Sequence, residues 1–182
     1  MTPRMLLALA SLVNALVAGY LHLWKIGKAG VLTCGATHGC EVVQFSSYGS
    51  VPVPWGGVAD RVDVALIGFV GWLLIAAVAV YGTAPRTEDS PGVTRLLAGL
   101  VGFALLFTLR LKYGEFVVLR SFCPWCAVNA AVVVLSAVLV WRDWARLREP
   151  GAVGGRGRGP NELGGDAGAY ALTPGRAESR TA

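Results

Sequence analysis

Four long apolar runs, each edged by charge, decide what this chain can become. A helix needs about 20 mostly apolar residues to cross a bilayer, and the runs at about 5–24, 64–82, 95–113 and 123–141 come close to that length or reach it. Charged residues are 15% of the chain, where a soluble domain carries about 25%, and the deficit falls inside these runs. The expected fold is all-α: an integral membrane four-helix bundle over residues 1–148, with a long extracytoplasmic loop between the first and second helices. The first run is longer than the apolar part of a cleaved leader, about 7–15 residues, so it is read as a span. Residues 149–182 are rich in Gly, Arg, Ala and Pro with few large apolar side chains. Such a segment buries too little to offset its ordering entropy, and a disordered cytoplasmic tail is expected there.

Four spans return both ends to one side and put the loop at 25–63 and the short connection at 113–122 on the other. Arg4, Arg86, Arg142, Arg146 and Arg148 favour a cytoplasmic location for the ends. Lys25, Lys28, Arg61, Lys112 and Arg120 stand opposite and weaken that bias. The net charge of +5 comes mostly from arginines at the run edges rather than a dense basic block, which argues for membrane orientation and against nucleic acid as a partner. All four cysteines then share one compartment. A working disulfide belongs on the oxidising face of a cell membrane.

The cysteines come as two close pairs, Cys34/Cys40 and Cys123/Cys126. Spacing alone leaves three complete pairings open. The second pair sits in Phe122-Cys-Pro-Trp-Cys126 at the mouth of the last run. Two residues three apart on a helical turn have Cβ atoms about 5–6 Å apart, close to disulfide reach. Pro124 suits a first turn, where its missing N–H would be an orphan, and the positive end of the helix dipole favours a thiolate at Cys123. A dithiol at a membrane boundary needs a lipid-soluble acceptor of two electrons, and a quinone fits. Cys126 lies deeper and is the better candidate to face such a ring. Cys123, nearer water, is the better candidate for thiol exchange. The Cys34/Cys40 loop can shuttle between an outside thiol and Cys123, and so short a ring adds little stability. A zinc site on all four sulfurs is open on spacing but would draw on a floppy loop; no metal is expected.

The layout resembles the vitamin K epoxide reductase family over most of 5–141. The resemblance rests on Phe122-Cys-Pro-Trp-Cys126 opening the last span, on Cys34/Cys40 after the first, on Ser46 six residues beyond Cys40, on Lys112-Tyr113, and on Ala65-Leu66-Ile67-Gly68. It implies that Cys126 attacks a quinone, Cys123 resolves, Cys40 exchanges with Cys123, and Cys34 exchanges with a thioredoxin-fold protein. It places Ser46 near the ring. It implies menaquinone or ubiquinone as acceptor and a separate DsbA-like chain as partner, with electrons flowing from exported thiols to the quinone. Departures exist. The bacterial Gly-x-Pro before Ala65 is Arg61-Val62-Asp63 here, and Ala130 and Val64 stand where vertebrate members carry ring-binding Tyr and Asn, so epoxide reduction is not expected. Asn129, three residues after Cys126 on the same helical face, is the candidate substitute.

Plainer readings stand beside these. Ser46 can be a turn hydroxyl and Asn129 an interhelical hydrogen-bonding residue. His22 and His38 read as an interfacial and a solvated residue, Trp125 as a packing ring, and Glu115 and Arg120 as solvated charges. Val42, Val43 and Phe45 suggest a short helix along the membrane surface, and Pro52, Pro54, Gly56 and Gly57 argue against regular structure after it. The functional alternatives are a thiol-driven quinone or epoxide reductase and a non-catalytic membrane scaffold with structural disulfides.

Overall fold

The computed structural model describes residues 2–30, 34, 39–53 and 61–148. The tail at 149–182 and His38 lie outside the described residues. Among the described residues the chain forms α1 (Pro3–Lys25), α2 (Gly39–Phe45), β1 (Ser50–Pro52), β2 (Arg61–Asp63), α3 (Val64–Tyr81), α4 (Pro91–Tyr113) and α5 (Pro124–Arg148). The helices α1, α3, α4 and α5 are each long and apolar enough to cross a membrane. The protein is an all-α membrane bundle.

The helix starts follow local chemistry. The Thr2 hydroxyl accepts from the Met5 N–H and Pro3 opens α1, satisfying donors that lack an intrahelical partner. Asp63 caps α3 through Ala65 N at 3.2 Å. Pro91 and Pro124 open α4 and α5 with φ already set for a helix. α4 begins earlier than its hydropathy edge at 95 because Pro91 can start a helix through polar residues. It also ends differently. Gly114–Val118 continues it as a π-helical turn where a plain connection was expected.

α1 lies along α3 through small residues. Gly19 rests on the Phe69 ring and Gly68 on the Ala18 methyl, the close backbone approach by which helices associate in lipid. Leu7, Trp72, Ile75, Leu97, Val101 and Val133 form the main buried cluster. Leu16, Val70, Phe103, Leu106 and Trp141 face outward, as befits a surface solvated by acyl chains.

Each end of the bundle is tied by charge. At the end holding the α1 start and the α3–α4 turn, Arg4 is 2% exposed. Its guanidinium donates to Asp143 Oδ2, Gly82 O, Thr87 O and Thr94 Oγ1, each at 2.8 Å, and to Ser90 O at 3.4 Å. Thr94 Oγ1 in turn donates to Asp143 Oδ2 at 2.7 Å. All of the arginine's N–H groups point at oxygen, so a residue expected only to orient the chain also clamps α1, α4, α5 and the turn together. At the opposite end Asp63 pairs with His22 Nδ1 at 2.7 Å and accepts from Lys25 Nζ at 2.8 Å, while Lys25 reaches Gly49 O at 2.8 Å. His22 is therefore an interfacial ring hydrogen-bonded to the carboxylate that also holds Lys25. Beside it, β1 and β2 pair antiparallel with Val51 opposite Val62. The prolines had argued against regular structure here. The strands form because Arg61 fastens them, bonding Ser47 O and Ser50 O at 3.0 Å each and Ser50 Oγ at 2.8 Å.

Arg4→Met leaves the buried Asp143 carboxylate with only the Thr94 hydroxyl and, at 3.5 Å, Arg146, and is expected to cost about 3 kcal/mol, read as a lowered unfolding temperature in lipid nanodiscs. Removing both charges, in Arg4→Met with Asp143→Leu, recovers much of the loss. A double variant as unstable as the single one would contradict this account.

Candidate redox site beside an apolar cavity

The four cysteines gather at the end held by Asp63. Cys40 and Cys123 are fully buried in one cluster with Leu21, Val43 and Ala65, and Cys34 and Cys126 pack at its margin. Cys34 and Cys40 are joined as a disulfide with Cα atoms 5.8 Å apart. Cys123 and Cys126 are free thiols. Of the pairings that spacing left open, this state has the loop pair closed and the helix pair open.

The approach of the two pairs depends on one glycine. A Cβ at Gly39 would overlap the Phe122 carbonyl. Without a side chain there, α2 settles against the backbone just ahead of Cys123 and buries Cys40 next to it. Tyr48, on the 3₁₀ turn after α2, leans on the π turn in the same way: a Cβ at Gly114 would stand 2.6 Å from its ring. The loop is thus pinned at two points to the segment that presents the helix pair.

Around Cys123 the geometry is that of a primed nucleophile. Cys123 precedes α5, and the Cys126 N–H points at its sulfur at 3.3 Å. Its thiol is lowered to about 7, chiefly by the hydrogen bond from the Cys126 side chain and then by the Cys126 and Trp125 backbone N–H groups; burial and the Glu115 carboxylate work against the shift. A donor to the thiolate stabilises the charged form. Glu115, expected to be solvated, is 1% exposed. Its Oε1 accepts from the Cys123 N–H at 2.6 Å and its Oε2 from Lys112 Nζ at 2.7 Å. The π turn carries Glu115 inward toward α5, where the first-turn N–H groups lack partners.

Next to Cys126 lies a cavity of about 190 Å³ bounded by α1, α3, α4 and α5. Hydrocarbon dominates its wall, with Leu21, Ile67, Phe107 and Val133 among the lining residues. Polar groups are few: Gln44, Tyr48, Thr108, Asn129, Lys112 and Glu115. Asn129 Oδ1 accepts from Asn14 Nδ2 at 2.6 Å and Trp72 Nε1 at 3.2 Å. The amide therefore does knit helices together, and it also lines the cavity. Ser46 sits in the turn after α2, giving its hydroxyl to Val43 O at 2.7 Å and receiving the Tyr48 N–H at 3.2 Å; its neighbours Gln44 and Tyr48 reach the cavity wall. Trp125 packs beside Tyr20 with ring centroids 6.2 Å apart. Gln44 and the support that Asn14 and Trp72 give Asn129 were not picked out from the sequence, and Glu115 was read there as a solvated charge. Asn14 could have been, since a polar residue in mid-span is seldom idle. No three His, Cys, Asp or Glu side chains form a metal-holding group among the described residues. A small, mostly apolar, concave wall with a handful of polar atoms suits a flat two-carbonyl ring.

With Cys34 and Cys34's partner Cys40 oxidised, the ultraviolet absorbance of thiolate is expected to rise with a midpoint near pH 7 as Cys123 ionises. Cys126→Ala removes the leading cause and moves that midpoint up. Gly39→Ala should slow oxidative crosslinking of Cys40 to Cys123 by tenfold or more in a Cys34→Ser, Cys126→Ser background, scored by non-reducing electrophoresis.

Residues 5–141 match the model of the Vitamin K epoxide reductase family. No curated protein matches the chain.

Proposed function

The chain belongs to the vitamin K epoxide reductase family, a family of quinone-linked membrane redox enzymes, and we propose that it reoxidises a separate thioredoxin-fold, DsbA-like protein and passes the electrons to a membrane quinone. The observation that carries this reading is the shared cluster: both cysteine pairs meet in one buried patch, and Cys126 of that patch also forms the wall of the apolar cavity. A scaffold stapled by disulfides has no use for two open thiols beside a cavity.

The residues divide the work. Cys34 is half-buried and Cys40 is fully buried, so Cys34 meets the outside thiol and Cys40 exchanges with Cys123. The partner's thiol opens the loop disulfide at Cys34, and the freed Cys40 then attacks the oxidised Cys123–Cys126 pair at Cys123 and releases Cys126 as the thiolate; the proximity of the pairs makes that exchange effectively intramolecular. Cys126 faces the cavity. A bound quinone supplies the sink for two electrons. Asn129 and Gln44 are the amides that would hold its carbonyls, and Ser46, which is not among the residues lining the cavity, acts through the turn that presents Gln44 and Tyr48. The cytoplasmic placement of both termini, and of the cysteines outside the cell membrane, follows the arginine bias and the need for an oxidising compartment. The acceptor proposed is menaquinone or ubiquinone.

The decisive experiment follows quinone absorbance with purified protein in lipid, a reduced thioredoxin-fold partner and a quinone. Cys126→Ser is expected to stop quinone loss by a factor of at least a hundred while mixed disulfides accumulate upstream. Wild-type protein that leaves the quinone untouched with a competent partner would refute the proposal. Epoxide turnover driven by dithiothreitol would instead favour the reductase direction.

A further inference from the structure

The structure holds a buried ion pair that thiol exchange alone does not require. We propose that Glu115, working with Lys112, is the proton-handling residue of the site, moving protons between the sulfur pair, the cavity and the aqueous face. The idea rests on the quinone-linked reading above.

Three observations support it. Glu115 is one of only two charged side chains on the cavity wall among the described residues, and the other is Lys112. Placing a carboxylate and an ammonium against hydrocarbon is costly, and capping the Cys123 N–H could be done by a neutral Ser or Asn. Second, the pair spans the boundary. Glu115 is sealed at 1% side-chain exposure while Lys112 keeps 17%, so the carboxylate is enclosed and the lysine side chain reaches the surface. Lys112 Nζ is held there by the Phe116 and Phe122 rings at 5.4 and 6.0 Å. Third, Glu115 binds the backbone of the cysteine whose ionisation matters, through Cys123 N at 2.6 Å.

The bookkeeping of atoms calls for such a group. When Cys123 and Cys126 close, two S–H bonds break and one S–S bond forms, releasing two electrons and two protons. A quinone takes both electrons and needs a proton on each oxygen. Near neutral pH about half of the Cys123 thiol is already ionised, and in that fraction one proton must be supplied again from outside. Glu115 can accept it from Lys112 or from sulfur and release it to an oxygen in the cavity, ending unchanged. The other titratable or charged groups facing the pair are Cys123 just before α5, Cys126 on α5 and Tyr48 beyond α2, the last beneath Arg110 at 5.8 Å; α1 and α3 present none to the cavity among the described residues.

The test uses full-length protein in lipid nanodiscs with menadione, a tail-less naphthoquinone, in single turnovers from the reduced dithiol across pH. Glu115→Gln keeps an oxygen for the Cys123 N–H and loses the proton site. Hydroquinone formation should fall by about a hundredfold and its pH dependence should flatten. In the same variant without menadione, the Cys123 thiolate midpoint should move down, because a nearby negative charge is gone. Lys112→Met with Glu115→Gln, which leaves no stranded charge, should show the same slowing with unfolding temperature preserved. A Glu115→Gln rate within threefold of wild type, or an unmoved thiolate midpoint, overturns the inference and reduces Glu115 to a backbone cap. Wild-type protein unable to reduce menadione would count against the proposed function instead.

Discussion

The seat of α2 on the Phe122 backbone is the contact on which the rest depends. Two sulfur pairs lie more than eighty residues apart in sequence, and only a polypeptide approach without an intervening side chain lets them share a desolvated patch. Gly39 makes that approach possible. Tyr48 on Gly114 and Lys25 on Gly49 keep the loop from sliding once it is down. Remove the seat and each pair remains chemically intact but has nothing to talk to.

The bundle separates its charges with care. One buried cluster, around Arg4 and Asp143, closes the end away from the sulfurs. A second, around Asp63, fixes the loop and starts α3. A third, Lys112 with Glu115, lies beside Cys123. Between them stretches hydrocarbon broken by Asn14, Trp72 and Asn129. The first two clusters join several elements through many bonds each. The third touches one backbone N–H and a cavity, which is why it reads as chemistry more than masonry.

Much of this could be read in advance from the chain. The spans follow from long uncharged stretches, and the helix starts at Pro91 and Pro124 follow from proline's fixed φ. The Cys-Pro-Trp-Cys turn and the loop pair mark the candidate redox centre because few other uses explain two such pairs at one boundary. What escaped was set by long-range geometry. Glu115 looks like any acid near the rim of a span until the π turn aims it inward. Gln44 looks like one more polar residue on a surface helix until α2 is seated. The β1–β2 pairing ran against the local prolines and was decided by Arg61, eleven residues from Ser50. Asn129 was noticed for its face, yet its two partners, on α1 and α3, could not be named from spacing.

The π turn at Gly114–Val118 has a consequence for how this segment can vary. Such a turn holds one residue more than regular helix would use, and each residue contributes about 100° of winding. Losing a single residue there would let the ladder run on in ordinary register, swinging the carboxylate out toward acyl chains and dragging the following linker off α2. Substitution in this stretch can be gradual, but a change in its length is all or nothing.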